Sequence, residues 1–94
     1  MNKKHSKTKT SLYRRLYVAH LIDKGFDTVP VLLLKTKMPK RTLQDVIAAL
    51  HEIDVVVVSS GGTKNCRYSI GSWGFINSEY VEGNIEYMKD VLGF

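Results

Sequence analysis

Met38-Pro39 constrains this chain more than any other pair of residues. Proline disfavours helical backbone at the residue before it and preorganises the first turn of a helix that follows. The pair separates two stretches with helical patterning. Before it, residues 28–36 open on Thr28 as a cap and carry Pro30 in the first turn, where a missing N–H costs little. Val31, Leu32 and Leu34 are the expected core contacts there. After it, residues 40–52 place Leu43, Val46, Ile47 and Leu50 on one face, with Arg41, Asp45, Ala48 and Glu52 opposite and Lys40 and Gln44 on the flank.

The period then changes. Asp54 separates the helix from a β-branched run, and Asp tolerates the left-handed backbone that a chain reversal needs. The expected hairpin arms are 55–59 and 66–70, joined by the glycine turn at 60–65. Upstream, Thr10 or Ser11 can cap a first helix that runs to about Lys24 and stops at Gly25. It is apolar on several sides (Leu12, Leu16, Ala19; Tyr13, Tyr17, Leu21; Val18, Ile22), so it must face the core and also either the last helix or a second subunit. Downstream, Trp73 is expected to plug the gap between the hairpin and a final helix at 78–92. That helix is capped by Asn77 or Ser78 and striped by Val81, Ile85, Met88 and Leu92. Gly83 weakens it by about 1 kcal/mol relative to Ala.

Helix, tight turn, helix and hairpin in this order is the layout of a winged helix-turn-helix. The expected fold is α+β: a three-helix core, a two-stranded β-wing and an extra C-terminal helix. Three segments follow: a flexible basic arm at 1–9, the winged domain at 10–76, and a C-terminal helix at 77–94 that serves dimerisation.

With 94 residues the chain has room for one domain, which can bury roughly 60–65% of its unfolded surface without staples. Cys66 is the only cysteine, so no intrachain disulfide forms, and a cytoplasmic location is expected. The longest apolar run, 29–34, is far short of a membrane span. The net charge of +5 is unevenly spread: residues 1–41 hold eleven Lys and Arg against two acids, and residues 42–94 hold three against seven. A polyanion would meet the first half and be repelled by the second.

The stretch Lys40-Arg41-Thr42-Leu43-Gln44-Asp45 carries the chemistry of DNA reading. Arg grips guanine O6/N7, Gln grips adenine, and Asp accepts from cytosine N4. Two cations at a helix N-terminus oppose the helix dipole and so need a reason other than folding. Lys64 and Arg67 on the wing suit flanking phosphates, and Lys35 and Lys37 suit the backbone. An enzyme is not expected. His5, His20 and His51 lie on separate segments, no zinc-ligand spacing occurs, and Gly61-Gly62-Thr63-Lys64 lacks phosphate-loop spacing, so neither metal nor cofactor is implied.

TVPVLLLKTKMPKRTLQDVIAAL at 28–50, the wing residues RYSI, and the closing GSWGFIN…YVEGNIEYMKDVLGF resemble the small bacterial winged helix-turn-helix transcriptional regulators. The resemblance implies sequence-specific binding of double-stranded DNA through the helix that starts at Lys40, by a homodimer. The alternative is a winged-helix module that binds an acidic protein partner, for which Asp45 and Glu52 on the exposed face are the best evidence. A third reading is an effector-sensing regulator with a pocket between subunits lined by Tyr13, Tyr17 and Trp73.

Overall fold

The computed structural model describes residues 5–62 and 66–94. The first helix, α1 (Lys7–Asp23), starts earlier than the expected cap, because Ser6 serves instead: its Oγ accepts from the Lys9 N–H at 3.0 Å. Lys7–Lys9 of the expected arm are therefore helical, and residues 1–4 lie outside the described residues. The extra turn is held from across the fold. Lys9 Nζ donates to Tyr87 Oη at 2.8 Å and lies over the Tyr87 and Tyr13 rings, 5.2 and 5.6 Å from their centroids. At the other end Gly25 (φ 103°) stops the helix as expected, with the Phe26 N–H returning to the Leu21 carbonyl at 2.9 Å.

α1 is the axis of the molecule. Tyr17, Val18, Leu21 and Ile22 pack on Leu32, Met38 and Leu43. Leu16 packs on Val81 and Met88, and Ala19 on Leu50 and Val55. The several apolar sides of this helix are thus consumed within one chain, and the C-terminal helices cover the side left open between last helix and second subunit.

α2 (Val29–Thr36) is capped by Thr28 without a side-chain hydrogen bond. Leu32 is fully buried and Val29 and Leu33 pack against the core, but Leu34 is 79% exposed, contrary to expectation. Positions 29, 32, 33 and 36 share the face that packs on the core, and Leu34 falls outside it. Lys37 turns left-handed (φ 56°), and α3 (Lys40–Ala49) begins after Pro39. Thr36, fully buried, fixes this turn: its hydroxyl donates to the Leu32 carbonyl at 2.8 Å and accepts from the Met38 N–H at 3.2 Å.

The regular helix ends at Ala49, shorter than expected, and tightens into a 3-10 turn, Leu50–Ile53. Asp54 then takes the expected left-handed conformation (φ 63°). Strands β1 (Val56–Ser60) and β2 (Arg67–Ser72) pair antiparallel, each starting one residue later than predicted. Val55 is not in the ladder: it is fully buried and its N–H bonds the Leu50 carbonyl at 3.2 Å, so it anchors the hairpin. Val57 pairs with Ile70 and Val56 with Ser72, leaving Gly71 as an extra residue. Trp73 packs on Ala19, Leu50 and Val55 and also on the Val81 and Met88 cluster, which is the plugging place expected for it.

The final helix is two helices, α4 (Ser78–Gly83) and α5 (Ile85–Leu92). Asn77 caps the first, accepting from the Glu79 and Tyr80 N–H groups at 3.0 and 3.1 Å. The break has a local cause. Gly83 weakens the helix, and Asn84 replaces its own backbone bond to the Tyr80 carbonyl with a side-chain one at 2.8 Å, while its N–H moves to the Val81 carbonyl. No helix among the described residues is long and apolar enough to cross a membrane.

Candidate nucleic-acid interface

The start of α3 stands clear of the core. Leu43 is fully buried and fixes the helix, while Lys40, Arg41, Gln44 and Asp45 are exposed and Thr42 is half-buried. Among the described residues, no side-chain hydrogen bond or ion pair within the chain engages Lys40, Arg41 or Gln44. Their donors are therefore available to a partner. Asp45, Ala48 and Glu52 continue the exposed face.

α1 runs alongside. Ser11, Arg14 and Arg15 face Thr42, Asp45 and Val46 across an open cleft of about 250 Å³. Arg15 donates to Ser11 Oγ at 2.9 Å, and its Nε is buried without a partner among the described residues. A buried cationic donor left unmet is costly. In the sequence these arginines stand out only by their charge. Helical phase gives no signal for the cleft, because Ser11, Arg14 and Arg15 share their side of α1 with the apolar Val18 and Ile22.

On the other flank, a groove of about 420 Å³ separates the end of α3 from β1, lined by Ile47, Ala48, His51, Val55, Val57 and Tyr68. His51 Nδ1–H donates to the Ala48 carbonyl at 2.7 Å. Burial raises the pKa of the Tyr68 hydroxyl, and neighbouring Cys66 adds to it. No group of three metal-ligating side chains occurs among the described residues.

The remaining sequence candidates are dispersed. Lys64 lies outside the described residues. Arg67 starts β2 and pairs with Asp27, Nη1 to Oδ2 3.4 Å, while the Tyr68 N–H donates to the Asp27 carbonyl at 2.9 Å; the wing is thus tied to the loop between α1 and α2. Lys35 lies over the Phe26 ring at 4.4 Å. Lys35 and Lys37 line a third cavity with His20 and Lys89, which shares no residue with the cleft beside α3. Tyr17 lines that third cavity without Tyr13 or Trp73: Tyr13 meets Tyr87 edge-on at 6.0 Å, and Tyr17 meets Phe94 at 5.4 Å.

Residues 7–92 match the family model described as winged helix-turn helix. The chain belongs to that family. A winged helix-turn helix is typically a DNA-binding module without catalytic activity. The chain is similar to a DUF2131 family protein from Shewanella amazonensis SB2B, whose crystal structure matches it with a TM-score of 0.88 at 33% identity over 95% of each chain. No curated protein matches the chain.

Proposed function

We propose that this winged helix-turn helix protein binds double-stranded DNA sequence-specifically, as a homodimeric transcriptional regulator of the cytoplasm. The observation that carries this reading is the exposed start of α3, where Lys40, Arg41 and Gln44 have no partner among the described residues and Arg14 and Arg15 stand beside them. Lys40, Arg41, Thr42, Gln44 and Asp45 face the major groove. Arg14 and Arg15 take the adjoining phosphates, and Lys64 and Arg67 those beneath the wing. Confining base contacts to the first turns of α3 keeps Glu52 away from the backbone.

The dimer is supported by Phe75 and Tyr80, 92% and 70% exposed, which flank the Asn77 cap at the start of the C-terminal helices. Sedimentation at micromolar concentration tests it, and a monomer there removes it. Selection of bound sequences from random duplexes tests recognition and half-site symmetry together. With five to eight phosphates neutralised, log K falls against log salt with a slope of about −4 to −7. The exposed carboxylates of Asp45 and Glu52, which oppose phosphates, favour a second reading, a module that pairs with an acidic protein partner, and that reading requires no duplex affinity at any salt concentration.

A further inference from the structure

We propose that the cavity between α1, the end of α2 and α5 is a binding site for a small organic anion with an aromatic or aliphatic body. It encloses about 590 Å³, within the size range of small-molecule pockets. Its floor is apolar: Tyr17 and Leu21 are buried core residues, and Ile85 and Phe94 close the opposite wall. Its rim is cationic, carrying Lys35, Lys37 and Lys89 beside the His20 ring, and no Asp or Glu side chain is among the lining residues.

The lysines are weakly engaged. Lys35 has the Phe26 ring at 4.4 Å, and Lys89 has Glu86 at 3.7 Å, a pair in which the carboxylate is almost fully in water. Both interactions are of the kind that a bound carboxylate or phosphate displaces. The acids nearest His20 include Glu82, which is held by Lys24 at 3.1 Å. The apolar floor decides the class of anion. A nucleic-acid backbone is bound on exposed cations and needs no apolar recess beneath them, whereas an organic acid fills the recess with its body and sets its charge on the rim.

The site also touches the turn that fixes α3. Thr36 lines the cavity and holds the Met38 N–H, Lys37 is the left-handed residue of the turn, and α3 begins at Lys40. An anion on Lys35 and Lys37 therefore bears on the segment that aims Lys40 and Arg41. Binding itself does not depend on the DNA reading and is measured without DNA.

The test is a titration of the isotope-labelled full chain with naphthoate, followed by two-dimensional amide NMR. Saturable shifts are expected at His20, Leu21, Lys35, Thr36, Lys37, Ile85 and Lys89, extending to Lys40 and Arg41. The uncharged analogue naphthalenemethanol should bind at least about tenfold more weakly, as should naphthoate to a Lys35→Gln/Lys89→Gln variant whose spectrum shows it folded. Shifts that scatter over the surface, fail to saturate below about 10 mM, or are equal for the two probes overturn the proposal. So does a variant that binds naphthoate unchanged while its DNA salt slope falls, because those lysines would then serve the polyanion.

Discussion

The Asp54 carbonyl occupies the space that a Cβ on Gly74 would need: a side chain there would overlap the oxygen and lie 2.9 Å from the carbonyl carbon. Both residues are left-handed, with φ of 63° and 60°. Their approach brings the end of the α3 segment against the linker that leaves the wing, which sets the hairpin against the C-terminal helices. Gly74→Ala adds an overlap to a backbone that L-residues avoid, and should destabilise the fold by about 2–4 kcal/mol. A fall in the denaturant midpoint with an unchanged slope is the expected measurement. Gly83→Ala, where a Cβ meets nothing within 4 Å, is the contrasting substitution.

Thr36 is the one buried polar residue among the described ones, and both of its hydrogen bonds serve the turn before α3. Thr36→Val keeps the shape but leaves the Met38 N–H without its acceptor, and should cost about 1–3 kcal/mol. Thr36→Ser keeps the hydroxyl and should restore the protection of the Met38 amide against hydrogen exchange. If the valine variant protects that amide as well as the parent does, the hydroxyl is not what holds the turn.

The element order was legible because it rests on local chemistry. Pro39 must start a helix, Asp54 accepts a left-handed turn, and four consecutive valines favour a strand. What was not legible depends on partners distant in sequence. Ser6 takes the first cap because Lys9 finds Tyr87, 78 residues away. The last helix breaks because the Asn84 side chain competes with its own backbone. Leu34 and Leu33 have the same chemistry, and only the way α2 packs on the core of α1 and α3 decides which faces inward. At the candidate site, exposure of Lys40, Arg41 and Gln44 followed from helical phase. The pairing of Arg67 with Asp27 and the flanking place of Arg14 and Arg15 required knowing how α1 lies beside α3 and the wing.

Burial lowers the pKa of His20 below its ordinary value of 6.5, Lys24 acting in the same direction and Glu82 and Asp23 against it. The unfolded chain therefore takes up the proton at a higher pH than the native state does. Between the two values the unfolded state binds more protons, so stability rises with pH in that window. The contribution is complete above 6.5 and is lost as pH falls through that value towards the native pKa. Thermal unfolding midpoints measured from about pH 7.5 down to about pH 5 should fall more steeply in the parent than in His20→Asn. Parallel curves would show that the ring titrates alike in both states.

Arg41 and Arg14 carry the same charge in different surroundings, and DNA binding should separate them. Arg41 is exposed on the outer face of α3, where a guanidinium can grip both acceptors of a guanine; Arg14 borders the cleft beside that helix. Arg41→Ala should cost about 1–3 kcal/mol on the preferred duplex and little on unrelated ones, so that base preference relaxes. Arg14→Ala should weaken all duplexes alike and reduce the magnitude of the salt slope by about one, the signature of a lost phosphate. Competition binding at two salt concentrations with preferred and scrambled duplexes resolves both. Equal losses on both duplexes for Arg41→Ala would move base reading away from the start of α3. An unchanged slope for Arg14→Ala would leave the cleft beside α3 outside the DNA contact.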